Sequence, residues 1–406
     1  MLPLTTLGMS YLRALPQYLS MPLFYIVLFL IYTQYRRAAS LEKALYGRPM
    51  HSIIKHLVIS TLFGVAGGLI GSMLLLSLGV AISGNWILYV WVVALGLAFI
   101  SPRLMCFAYG GGIVALVSLI LGWPEIDIAS LLGLVAVLHA VESVLMLLSG
   151  HIGAVPVRVK NSIDGSIVGA YSLQKFWPVP LLALAVAPGI IPPEVGAISM
   201  PDWWPLIIPA GLTLNHSFWM IPVVAGLGYG EMAVSTTPRA RARQSALKLA
   251  VYSGVLFVLA YLAGRVSFFL YVGAIFAPLG HELLVWTTNR QEMGGRALHK
   301  TVPGELRVFD ILPDSPAWGK LASGERILAC DGMPMTSVAD LSQCFKSKSG
   351  LEVLLTCASG DVALPPGGGA ELRGIILIPD DSASTYLETR FHSPLDFLSK
   401  YLAGDK

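Results

Sequence analysis

Histidine and glutamate recur together inside apolar runs of this chain. His139 and Glu142 stand three residues apart in "LHAVESVL", His216 follows Asn215 in "LNHSFW", and His281 and Glu282 are adjacent in "PLGHELLVW". Ionisable groups are costly to hold in hydrocarbon, so such positions point to function or to internal pairing. Imidazoles and carboxylates from two helices can ligate a metal. A His-Glu pair can belong to a hydrolytic zinc helix, H-E-x-x-H, but the position of the second imidazole here is Val285. No G-x-S-x-G marks a serine hydrolase either. The remaining chemistry is hydrogen bonding across helices, which fixes a bundle. The expectation is therefore a non-enzyme without cofactor or metal, in which His139, Glu142, His216, His281 and Glu282 are a polar intramembrane cluster. An intramembrane metalloprotease with a degenerate His-Glu motif, or a transporter, is the alternative.

The elements that would carry these groups follow from composition. The chain of 406 residues is 55% hydrophobic and 13% charged, with a mean hydropathy of +0.70. A soluble domain carries about a quarter charged residues, so this is the composition of a polytopic membrane protein. The net charge of +3 is too small to suggest nucleic-acid binding. Apolar runs end near Trp286 and charge density rises after Asn289. The predicted organisation is a membrane domain over 1–288, a linker over 289–300, a soluble domain over 301–380 and a tail over 381–406. A spanning helix needs about 20 apolar residues. Candidates lie at roughly 19–35, 57–82, 86–101, 104–122, 128–149, 176–192, 204–227, 247–264 and 267–286, eight or nine spans in all.

Loop charges give orientation. Arg36, Arg37, Lys43, Arg48 and Lys55 follow the first span, Arg103 the third, Arg158, Lys160 and Lys175 the fifth, and Arg239, Arg241, Arg243 and Lys248 the seventh. The alternate connections around Gly84-Asn85, "WPEID" and "PPEVGAISMPDW" hold no Lys or Arg. By the positive-inside rule the N-terminus lies outside and the C-terminal domain in the cytosol of a plasma-membrane protein. Gly67 and Gly71 in "GVAGGLIGS" have the spacing that lets helices approach, within one subunit or at a homo-oligomer seam, and "YGGGI" at 109–113 reads likewise. Two β-rich segments flank the turn-forming Asn161 to Gly165, which predicts a cytosolic hairpin. The "FWPVP" beyond it reads as an interfacial aromatic pair and a proline-led helix start. The scattered Cys106, Cys330, Cys344 and Cys357 suit reduced thiols.

The soluble part begins with a strand in "ELRVFDILP", carrying Leu306, Val308 and Ile311. Ser315 ahead of Pro316 reads as the cap of a short helix. A second strand ends in the turn Asp331-Gly332, and "SVADLSQCFKS" is helical with Val338, Leu341 and Phe345 on one side. The D-S-P-A and G-E-R-I-L-x-x-D-G stretches in this order resemble a bacterial-type PDZ domain over about 300–380. Glu325 and Asp331 depart from its common Asp and Asn. The resemblance implies an α+β domain that takes an extended peptide as an added strand. Its peptide site would be Gly304, Glu305, Leu306, Arg307 and Val308, with Leu341 and Phe345 on the helix side.

An α-helical polytopic membrane bundle followed by one cytosolic domain of this kind is similar to the MinJ family of Firmicute division-site proteins. The sequence landmarks are "LQKFWPVPL", "HAVES", "GHELL" and the C-terminal module. That likeness implies a cell-division scaffold with protein partners of the DivIVA and MinD kinds.

Overall fold

The computed structural model describes residues 2–82, 86–161, 163–187, 198–207, 217–366 and 371–379. Its membrane part runs α1 (Leu4–Tyr18), α2 (Pro22–Tyr46), α3 (Ile53–Leu78), β1 (Ala81–Ile82), α4 (Trp86–Ile100), α5 (Phe107–Leu121) and α6 (Ile128–Ser149). It continues with β2 (Val155–Lys160), β3 (Ile167–Ala187), β4 (Ser217–Ala233), α7 (Pro238–Ala263) and α8 (Phe268–Met293). Among the described residues α3, α6, α7 and α8 are long and apolar enough to cross a membrane. The pair α1 and α2, bent by 79°, makes a fifth if it counts as one span. The 15-residue α4 and α5 are apolar but short. Among the described residues helical spans are therefore fewer than the eight or nine expected.

Two expected helices are strands. The described parts of 176–192 and 204–227 fall largely in β3 and β4, which pair antiparallel from Tyr171↔Ala233 to Ala187↔Ser217. Hydropathy over a window reports apolarity and not period, so a long buried strand passes as a helix. Pro178, Pro180 and Pro222 are the local cause, since a helix interior loses a hydrogen bond at each proline. The predicted hairpin is present where expected, with β2 against the start of β3 and Gly165 at φ +72° in the turn.

A sheet inside a bundle must satisfy its outer edge, because hydrocarbon offers no partners. Even-numbered residues of β3 point their main-chain groups away from β4, and several of them meet a specific solution. Ser172 pairs with β2 and Leu184 with β1. The Tyr35 hydroxyl lies 3.3 Å from both the N–H and the carbonyl oxygen of Phe176. Pro178 and Pro180 have no N–H to satisfy. Leu182 donates its N–H to Ser72 Oγ at 2.8 Å. Gly64 and Gly68 of α3 lie flat against the two prolines, where a Cβ would stand 2.0 Å from each proline carbonyl oxygen. Four helical residues rise about 6 Å and two strand residues about 6.6 Å, so Gly64, Gly68 and Ser72 stay in step with Pro178, Pro180 and Leu182. The neighbouring Gly67 and Gly71 approach Val141 of α6, so the glycine-rich run packs within the chain on a helix and a strand. In α5, Gly110, Gly111 and Gly112 approach α4, α6 and α8 respectively, through Ala94, Leu131 and Pro278.

The C-terminal part comprises β5 (Leu306–Ile311), β6 (Arg326–Cys330), β7 (Met333–Pro334), α9 (Val338–Ser347), β8 (Val353–Cys357), β9 (Gly360–Leu364) and β10 (Ile375–Leu377). The sheet order is β10-β5-β6-β8-β9, with β7 on β6. Asp331 and Gly332 close the β6–β7 hairpin with φ of 47° and 77°, the turn that Asp-Gly favours. A capping box between Ser337 and Asp340 starts α9. Asp340 accepts from Thr336 and Ser337, which holds its carboxyl below the usual carboxylate range. The short helix expected after Ser315 is a run of turns, although Ser315 Oγ accepts from Ala317 N at 3.0 Å as a cap would. Cys330 and Cys344 are joined by a disulfide that ties β6 to α9, where reduced thiols were expected. Cys106 and Cys357 are free.

The two parts meet at an aromatic seam. Tyr171 of β3, His299 and Phe309 of β5 meet edge-on or tilted, with ring centroids 4.8–5.8 Å apart. Gly169 N donates to His299 O at 2.8 Å. Burial pushes the His299 imidazole below its ordinary pKa and the Asp310 carboxyl above its own. Arg48–Asp314 and Lys300–Asp164 ion pairs flank the seam.

Candidate functional site

The expected peptide site does not form on β5. That strand is paired on both edges, with β6 through Leu306↔Ile327 and Arg307↔Arg326, and with β10 through Val308↔Leu377 and Ile311↔Ile375. Val308 N donates to Glu325 O at 2.8 Å, and strand alternation turns the Leu306 N–H to the same, occupied side. Leu306 and Val308 are core residues, as are Leu341 and Phe345 of α9. Gly304 does hold the positive φ that a tight turn needs, +76°. Glu305 pairs with Arg307 at 2.6 Å and Arg326 at 3.3 Å in a surface cluster.

The edge lies one strand over. Among the described residues no strand pairs with the far side of β10. Leu312 N donates to Gly374 O and Ile378 N to Arg307 O, so alternation turns the main-chain groups of Ile375 and Leu377 outward. Immediately before β10, Leu372, Arg373 and Gly374 are all left-handed, with φ of 58°, 48° and 79°. Turns of unusual hand bring successive N–H groups together and suit anions such as a carboxylate. Arg373 fixes this turn beside α9. It is 4% exposed, donates to Pro365 O, Lys348 O and Leu351 O at 2.8–3.0 Å, and covers the Phe345 ring at 5.2 Å. The sequence signal for this was "LRGII", a bulky-Arg-Gly sequence leading into three buried apolar residues.

The polar intramembrane residues divide into separate groups. His139 of α6 and His281 of α8 come together with ring centroids 5.2 Å apart. Cys106, at the start of α5, joins them. Glu282 turns away, accepting from Arg103 Nη2 at 2.9 Å and from the Tyr109 hydroxyl at 2.6 Å. Glu142 lies one turn beyond His139 outside the Cys106-His139-His281 group, and His216 lies outside the described residues. Cys106 was read only as a reduced thiol, because nothing in its apolar run ties it to the two histidines.

A third group was read from sequence only as loop charge. Arg239, Arg241 and Arg243 lie within the first turns of α7, and Arg241 is 2% exposed. Its Nε is 2.7 Å from Glu231 Oε2 and its Nη1 3.5 Å from Glu292 Oε2. The Nε contact is one of charge more than of aligned hydrogen bonding. Arg241 also donates to Thr288 O and Asn289 Oδ1. Glu292 accepts from the N–H groups of Val234, Ser235 and Thr236 at 2.7–3.0 Å. This network joins β4, α7 and the end of α8.

No protein-family model matches the chain, and no curated protein matches it. Its architecture and sites therefore carry the functional reading.

Proposed function

We propose that the protein is a non-enzymatic membrane scaffold whose C-terminal domain, of PDZ type, binds an extended protein segment along β10. The observation that carries this is an edge strand entered through the left-handed turn at Leu372–Gly374, beside α9. Strand addition supplies main-chain hydrogen bonds and the turn supplies a place for a terminal carboxylate. The role is septum placement in the manner of the MinJ family, with partners of the DivIVA and MinD kinds. Glu282 is held by Arg103 and Tyr109, and no second imidazole follows at Val285, so a protease of the H-E-x-x-H type is disfavoured. The test uses the full chain in nanodiscs with a library of C-terminal peptides. Selected peptides should lose binding at least about tenfold when their carboxylate is amidated or when Leu372→Pro forces a negative φ on the turn. A folded Leu372→Pro protein that binds such peptides unchanged would remove β10 as the site.

In this reading the domain lies on the cytosolic side. Supporting this, the Lys/Arg-rich connection at Arg48 and the hairpin turn at Asp164 both touch it. The Cys330–Cys344 disulfide pulls the other way, because disulfides are rare in reducing compartments. Charge in the connections governs insertion, so it outweighs a bond that forms only afterwards. In intact cells an impermeant maleimide should label Glu125→Cys and spare Gln343→Cys, both exposed positions. The reverse pattern would move the domain, its disulfide and its partners outside the cytosol.

A further inference from the structure

We propose that Cys106, His139 and His281 form a zinc site at mid-depth in the helix bundle. The inference is independent of the peptide-binding reading. Helices α4 and α5 span about 22 Å each at 1.5 Å per residue, against about 33 Å for α6 and 39 Å for α8. The short pair ends part-way along its neighbours, and its turn delivers Cys106 to the middle of α6, at His139, and of α8, at His281.

The ligand atoms converge. Cys106 Sγ lies 3.2 Å from His139 Nε2 and 4.0 Å from His281 Nε2, and all three atoms lie within 4.8 Å of one another. With Zn–S near 2.3 Å and Zn–N near 2.0–2.1 Å, sulfur and nitrogen stand ~3.6 Å apart around a tetrahedral ion. The two observed separations bracket that value.

Both imidazoles are also held in the tautomer a metal needs. His139 Nδ1 lies 2.7 Å from Val135 O, which can only accept, so Nδ1 carries the proton and Nε2 the lone pair. The Tyr109 hydroxyl donates to Glu282 Oε2, which leaves its oxygen to accept from His281 Nδ1 at 3.3 Å. His281 Nε2 is then a lone pair as well. One thiol proton cannot serve two lone pairs, whereas a cation bound by the thiolate serves both. Arg103 holds Glu282, which holds Tyr109, which orients His281, and such outer partners are what fix metal-binding histidines. Two imidazoles and a thiolate suit zinc, with a fourth position left for water. On binding, the Cys106 thiol proton passes to solvent and the sulfur–zinc bond takes its place.

The full chain purified without chelator, then given zinc alone, should hold about one zinc per chain by mass spectrometry. Cys106→Ser and His281→Ala should each lower this about tenfold or more, while Cys357→Ser should leave it unchanged. Cobalt in place of zinc should give a thiolate-to-metal charge-transfer band that Cys106→Ser abolishes. Should the variants fail to fold, alkylation of Cys106 in the unaltered chain decides the matter: zinc should slow it and a chelator restore it. A folded chain that takes up no zinc, or a folded Cys106→Ser protein that keeps its zinc, overturns the site.

Discussion

Arg241→Met should destabilise the membrane part by about 3–5 kcal/mol, whereas Arg243→Met two residues away should be close to neutral. The difference is burial. Arg243 is exposed, while Arg241 sits between Glu231 and Glu292 with its guanidinium out of water. Removing one member of a buried ion group leaves uncompensated charge, which costs far more than the group itself contributes to stability. Glu292 would keep its three main-chain donors, so the larger burden falls on Glu231, whose remaining partners among the described residues are the Tyr229 and Ser245 hydroxyls. Adding Glu231→Gln to Arg241→Met should therefore recover part of the loss. Thermal unfolding of the detergent-solubilised chain measures all three. If these arginines act only as topological charge, Arg241→Met and Arg243→Met should behave alike, and the network would carry no stability.

That contrast shows what a sequence can and cannot convey here. The count of positive charges in the connections was legible, but the burial of Arg241 was not, because it depends on Glu231 and Glu292 arriving from β4 and α8. Short-range chemistry was read well. Asn161 to Gly165 and Asp331-Gly332 make their turns, because each is decided within a few residues. The β3–β4 hairpin was misread as two spans, since its seventeen consecutive cross-strand pairs leave only broad apolarity in the sequence. The peptide edge was expected on β5, but among the described residues β5 is paired on both sides by β6 and by β10, which follows it by more than sixty residues. The grouping of Cys106 with His139 and His281 escaped notice for the same reason: they lie 33 and 175 residues away from it.

Gly68→Val should prevent the membrane part from closing, at a cost above about 3 kcal/mol. Overpacking alone costs about 1–3 kcal/mol where side chains can shift. At Gly68 the obstacle is main chain: a Cβ would stand 2.0 Å from Pro180 O and 2.5 Å from the Tyr11 hydroxyl. Helix α3 would have to withdraw from β3 by more than an ångström, and four residues further on Ser72 would lose its bond to Leu182 N. That N–H would then be left in a dry bundle, with the full penalty of an unmade hydrogen bond. Gly254→Ala is the matched control, because nothing lies within 4 Å of its added Cβ and alanine favours the α7 helix. Folded yield and melting temperature should fall sharply for Gly68→Val and hold or rise for Gly254→Ala. Equal behaviour of the two would mean that α3 and β3 do not touch at the glycines. The satisfaction of the β3 edge would then need another explanation.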